Sequence, residues 1–156
     1  MLLFEMTLIS SSVSQLMINE KNTQKIEQLF LQAKASFAAD DYSLAQTIIG
    51  QILELSPNHR AAVNLSVLIL IEQNSFDKAR AKLDDIYKTI LPDAQLRTTE
   101  GQLYQKQHMF KRAVECYQLA LSVDPSYSSA YLGLGAACFQ QKKYDEAVSY
   151  YSRAVV

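Results

Sequence analysis

The chain has 156 residues, 49% of them apolar, and its 15 basic side chains are balanced by 16 acidic ones for a net charge of −1. That is enough for one ordinary domain with its own core, and the near-neutral balance leaves no electrostatic footprint for nucleic acid. Cys116 and Cys138 stand in no metal or redox spacing. They read as packed side chains, in a reducing compartment such as the cytoplasm or indifferent to redox state.

In chain order, residues 1–22 come first, with apolar residues at Leu2, Met6, Ile9, Val13 and Leu16, steps of three and four that make one stripe on a helix. Glu5 interrupts the run and no Lys or Arg precedes Lys21, so the segment lacks the charged start of a secretory signal, and it is too short in apolar residues to span a membrane. An N-terminal amphipathic capping segment over the next helix is expected here. Folding into a groove or pairing with a second chain are the alternatives. From residue 23 onward apolar residues recur at three and four residue steps, and no stretch alternates as a strand would. Breakers at "SPNH", "LPD" and "DPSY" end helices and cap the next ones. The pattern predicts helices over roughly 24–39, 42–55, 59–73, 76–90, 93–107, 110–123, 127–141 and 144–156.

The segments "YSLAQTIIGQILELSP", "FDKARAKLDDIYKTIL", "FKRAVECYQLALSVDP" and "YDEAVSYYSRAVV" align at a constant period of 34. Their opening aromatics are Tyr42, Phe76, Phe110 and Tyr144, and an alanine follows three residues later in each, at Ala45, Ala79, Ala113 and Ala147. Ile49, Leu83, Tyr117 and Tyr151 continue the register, then Ile52, Ile86, Ala120 and Ala154. The half-period before each segment also repeats, with a small residue at Ala33, Val67, Gly101 and Gly135.

This pattern resembles the tetratricopeptide repeat, a helix-turn-helix unit of 34 residues with small, aromatic, alanine and proline signposts. The resemblance covers residues 23–156, as four repeats at about 23–58, 59–92, 93–126 and 127–156, the last incomplete. Repeats three and four match closely. In the first three repeats the family's early Trp is replaced by Leu29, Val63 and Arg97; the closing proline is kept at Pro57 and Pro125, while Pro92 falls one residue late. The resemblance implies an all-α solenoid, a right-handed superhelix in which stacking of neighbours supplies the core that no single repeat can build.

It also implies a concave peptide-binding groove lined by the first helix of each repeat. Those positions here are Phe30, Lys34 and Phe37, then Asn64, Leu68 and Ile71, then Thr98, Gln102 and Gln105, and last Leu132, Ala136 and Phe139. Asn64, Gln102 and Gln105 are expected to read a peptide backbone, while Phe37, Ile71 and Phe139 divide between core and groove. Some family members hold a C-terminal carboxylate with a clamp of Lys and Asn. Lys34 and Asn64 are of suitable type, but Phe30, Gln95 and Thr99 stand where the other cations would. A mostly uncharged groove fits an extended segment or an amphipathic helix.

Glycine-rich phosphate loops, HExxH, CxxC and GxSxG are missing. His59 and His108 fall at turns, and adjacent carboxylates such as Asp40 and Asp41 or Asp84 and Asp85 read as solvation and capping. The expected function is a non-catalytic protein-protein interaction module, an adaptor or scaffold with a protein or peptide partner and no cofactor. The alternatives are the recruiting front end of a larger enzyme such as a transferase, and an assembly factor of a surface or secretion machine. The final helix has no proline or polar helix behind it, so Val148, Tyr151 and Val155 should leave an apolar edge. The chain is therefore expected either to have been cut from a longer array or to self-associate as a homodimer through terminal helices.

Overall fold

The computed structural model describes the backbone of residues 2–155 and the side chains of residues 17–155. Eight α-helices appear among the described residues: α1 (Leu2–Ala38), α2 (Tyr42–Leu55), α3 (Arg60–Glu72), α4 (Phe76–Thr89), α5 (Ala94–Lys106), α6 (Phe110–Val123), α7 (Ser128–Gln140) and α8 (Tyr144–Ala154). No strand occurs among them, and the architecture is an all-α helical-repeat solenoid. The second helix of every repeat starts on the residue that the 34-residue period marks: Tyr42, Phe76, Phe110 and Tyr144.

One difference lies at the start. α1 runs unbroken from Leu2 to Ala38, so the N-terminal segment and the first repeat helix are a single element. Ser10, Ser11 and Ser12 do not stop it, because serine lowers helix propensity by only a few tenths of a kcal/mol (about 0.5) and no Pro or Gly intervenes. The side chains of the stripe from Leu2 to Leu16 lie outside the described residues. Just beyond it, Met17 and Ile18 are each 55% exposed.

The chain divides into two compact units, residues 1–63 and 64–156. In the first, α1 and α2 form a helical hairpin over Ala33, Ala45, Ile48, Ile49 and Ile52, all buried. The Asp41 carboxylate caps α2 by accepting from the Leu44 N–H at 3.0 Å, which satisfies one of the four orphan donors of a helix start. His59 does the same for α3, its Nδ1 accepting from the Ala62 N–H at 3.2 Å.

In the second unit, α5 with α6 and α7 with α8 form hairpins, and α7 also packs on α6. Their shared core contains Tyr104, Ala113, Cys116, Tyr117, Ala120, Ala130, Tyr131, Leu134 and Ala137. Alanine recurs at the crossings because only a small side chain lets two helix axes approach closely. Ala79, Ala113 and Ala147 are all shut from solvent.

Each hairpin turn repeats one backbone device. Asp40, Asn74, His108 and Lys142, spaced by 34 residues, hold φ of 59°, 54°, 59° and 62°. The next residue's N–H reaches back five positions, as in Met109 to Tyr104 O and Lys143 to Cys138 O, both 2.9 Å. This is the left-handed helix ending that usually takes glycine, here built without one.

Candidate interaction surface

The positions expected to line a binding face on the first helices of the repeats divide by burial. In the first unit Lys34 is exposed, while Phe30 and Phe37 are half-buried against aromatic neighbours. Phe30 lies 5.5 Å from the His59 ring and Phe37 5.8 Å from Tyr42.

In the second unit, Asn64, Ile71 and Thr98 are buried and Leu68 is half-buried. Asn64 is only 3% exposed, and its Oδ1 accepts from Thr99 Oγ1 at 2.7 Å. Its amide therefore joins α3 to α5 rather than facing a ligand, because a buried polar side chain must find its partner inside. Thr98 Oγ1 is buried with no hydrogen-bond partner. Gln105 is also committed: its Oε1 accepts from Tyr117 Oη at 2.6 Å and its Nε2 donates to Gln140 Oε1 at 3.0 Å. Asn64, Ile71 and Thr98 are thus shut from solvent, and Gln105 has partners within the chain. Asn64 and Thr98 belong to the packing between helices, and the Gln105 amide is occupied within the chain.

Of the expected positions in the second unit, those open to solvent are Gln102 on α5 with Leu132 and Phe139 on α7. Leu132 and Phe139 are 48% and 57% exposed and stand seven residues, two helical turns, apart, so they share one side of α7. Gln102 is one 34-residue period before Ala136, which lies between them, and α5 packs on α7. The Phe139 ring meets Tyr144 edge-on at 5.5 Å, which fixes its direction at the turn.

Several charged side chains of this unit are held in pairs or by tyrosines. Lys106 Nζ pairs with Glu72 at 2.9 Å, and Arg97 with Glu100 at 2.9 Å. Arg80 donates to Tyr104 Oη at 2.8 Å and lies 4.5 Å from the centre of that ring. Burial, with Glu100 adding to it, raises the Tyr87 hydroxyl well above the usual tyrosine range, and it donates to Glu100 Oε2 at 2.8 Å. Burial likewise pushes the Cys116 thiol up to about 12, and raises Cys138.

A family profile described as tetratricopeptide repeat matches residues 30–94 and 98–156. The chain belongs to the tetratricopeptide repeat family. No match was found among the curated proteins. Among solved structures, a tetratricopeptide-repeat chain similar to this one is "MamA 41-end" from Desulfovibrio magneticus RS-1, with 22% identity and a TM-score of 0.60 over 83% of this chain and 73% of that one. PilF of Pseudomonas aeruginosa has 15% identity and a TM-score of 0.68 over 86% of this chain and 61% of its own. The Cut9–Hcn1 hetero-tetramer of the APC/C has 20% identity and a TM-score of 0.68 over 81% of this chain and 24% of that one. At these identities the likeness is one of fold. Tetratricopeptide repeats are scaffolds of the kind that bind other proteins. Among the described residues no helix is long and apolar enough to cross a membrane.

The expected apolar edge on the last helix is distributed unevenly. Val148 and Val155 are 64% and 87% exposed, whereas Tyr151 is half-buried with one side of its ring on Gly135. The aromatic pair at the turns, Phe37 with Tyr42 and Phe139 with Tyr144, was legible in the 34-residue register but went unread, as did the repeated left-handed turn residue.

Proposed function

We propose that the chain is a non-catalytic adaptor whose second unit binds an apolar segment or amphipathic helix of a partner protein along α5 and α7. The observation that supports this is the exposed pair Leu132 and Phe139, two large apolar side chains on one side of α7, with Gln102 exposed on the adjoining α5. Two turns of separation match the i and i+7 anchors of a helix or the pockets of an extended strand. No charged side chain belongs to this set, so recognition rests on burial and a few hydrogen bonds.

The test is a peptide library selected on the full chain, with the selected peptides then measured against Phe139→Glu and Leu132→Glu. The reading expects loss of at least about tenfold in affinity for either variant, the scale of an interface anchor. It also expects little change between about 50 and 300 mM salt, because screening acts on exposed charge pairs. Peptides that bind both variants as well as the wild type, or that bind only at low salt, would replace this surface with another.

A further inference from the structure

α1 reaches well past the helix it packs on. Its 37 residues make about 55 Å of helix, against about 21 Å for the 14 residues of α2. The chain turns back directly after Ala38, so α2 lies along the C-terminal part of α1. Exposure marks the limit of that cover. Met17 to Lys25 are all exposed, and Ile26 is the first described side chain of α1 that is half-buried. Residues 2–19 therefore extend beyond α2 as a stretch of helix, and Glu5 is the one charged side chain among them. A helix of this length without a packed face is marginal in water.

The sequence pattern of this stretch points to what packs on it. Leu2, Met6, Ile9, Val13 and Leu16 follow steps of four, three, four and three, the period of 3.5 that keeps a seam facing a second helix. In heptad terms Met6 and Val13 take the a places, and Leu2, Ile9 and Leu16 the d places. The flanking e and g places hold Glu5, Ser10, Ser12 and Asn19 beside Leu3 and Met17, while Phe4, Leu8 and Ile18 stand off the seam at f and c. A stripe confined to a and d is the narrow seam of a coiled coil. A helix lying in a membrane surface sets its apolar face opposite Lys and Arg, and neither residue occurs before Lys21.

A second copy of the same strand meets these conditions. Aligned in parallel and in register, it matches an apolar residue to an apolar residue at every a and d layer from Leu2 to Leu16, and Val at a with Leu at d favours two strands. The g place of Glu5 is then matched to the e place of Ser10, so the single charge meets no like charge. The seam also carries its own stop. The next a and d places are Glu20, Thr23 and Glu27, and two like strands would set Glu20 against Glu20 and Glu27 against Glu27. Pairing thus ends ahead of Ile26, where cover by α2 begins.

We propose that residues 2–19 of α1 are a dimerisation element, pairing in parallel with the same residues of a second copy of the chain as a short two-stranded coiled coil. The element is separate from the α5–α7 face. If that face binds as read above, a dimer carries two of them, and a partner with two binding segments is held at both.

The test is sedimentation equilibrium of the full chain from about 1 to 300 μM, the range in which so short a seam should associate. The mass should rise from that of one chain to that of two. Ile9→Glu, at the central layer, should weaken association at least about tenfold, whereas Ser11→Glu, the same charge at an f place, should dimerise as the wild type does. Circular dichroism checks that the repeats stay folded in both. Leu16→Cys treated with oxidised glutathione should give a disulfide-linked dimer, because parallel strands bring each residue 16 to its counterpart and antiparallel strands keep the two apart. A chain that is monomeric at the highest concentration overturns the proposal, and co-flotation of that monomer with phosphatidylcholine vesicles, lost in Ile9→Glu, would assign the stripe to a membrane surface. A dimer that Ile9→Glu leaves intact, or a Leu16→Cys chain that forms no linked dimer, overturns it as well. Peptide binding at Phe139 is a separate measurement, so either surface can fail without the other.

Discussion

The Tyr117 ring and the backbone of Gly133 touch so closely that a single added methyl group at residue 133 would fall 2.5 Å from the ring carbon Cε1. The ring cannot retreat, since Gly101 bounds it at the same distance on α5. Gly133→Ala should therefore destabilise the chain by about 1–3 kcal/mol, the usual cost of overpacking a filled core. Gly50→Ala is the matched control. Its added carbon meets nothing within 4 Å, so only the helix preference for alanine acts, and stability should rise by about 0.5–1 kcal/mol. Thermal or urea unfolding of the two variants should move in opposite directions, and movement in the same direction would refute the packing of Tyr117 described above.

The left-handed turn residues give a second prediction. Lys142 holds φ of 62° with a full side chain, a conformation that costs an ordinary residue about 1 kcal/mol and glycine almost none. Lys142→Gly should raise stability by about 0.5 kcal/mol after the extra entropy of glycine in the unfolded chain is subtracted. Asn74→Gly, from a residue that tolerates this region, should change little. Equal effects at both sites in chemical denaturation would count against the turn geometry.

Asn64 and Thr98 separate burial from recognition. Removing the Asn64 amide leaves the buried Thr99 hydroxyl without its acceptor, so Asn64→Ala should lower stability by about 1–3 kcal/mol. Thr98→Val removes a buried hydroxyl that has no partner and should be neutral or stabilising by up to about 1 kcal/mol. Melting curves of the two variants check both. A stable Asn64→Ala chain with weakened peptide binding would return Asn64 to the contact surface.

Alkaline behaviour follows from Cys116. Burial raises its pKa from 9.0 to about 12, so between these values the unfolded chain releases the thiol proton and the folded chain keeps it. The stabilisation is therefore present in full below pH 9 and is lost as the pH rises toward 12. Cys116→Ala should flatten part of this decline in unfolding free energy between those limits, and Cys116 should resist alkylation at pH 9 in the folded protein. Rapid alkylation there, without unfolding, would contradict its burial.

Much of the fold was legible because the positions that set it are local. Tyr42, Phe76, Phe110 and Tyr144 follow turns, and the alanines three residues on must be small wherever two helices cross, so the period of 34 carries both facts. Gly101 and Gly135 were readable as sites of close approach for the same reason. The continuity of residues 1–22 with the first repeat helix was not legible, because the repeat phase begins near residue 23, while a helix needs a physical stop to end and none lies before Ala39. The surface was less legible. Whether Asn64 or Gln102 faces solvent depends on a small rotation of the helix and on a neighbour 35 residues away, and the residue type is the same polar amide in both cases. Gln105 reads as an exposed hydrogen-bonding side chain until the Tyr117 hydroxyl is seen to occupy it.

Three side-chain links of the second unit span about one period. Thr99 bonds Asn64 and Gln105 bonds Gln140, each across 35 residues, and Lys106 pairs with Glu72 across 34. A link of one period asks the chain to close only a short loop, and no later segment has to wait for an earlier, distant one. Duplication or loss of a 34-residue block at a turn would leave every bond of this kind with a neighbour at the same separation. The unit is thus written so that its length can change by whole repeats while its folding problem does not.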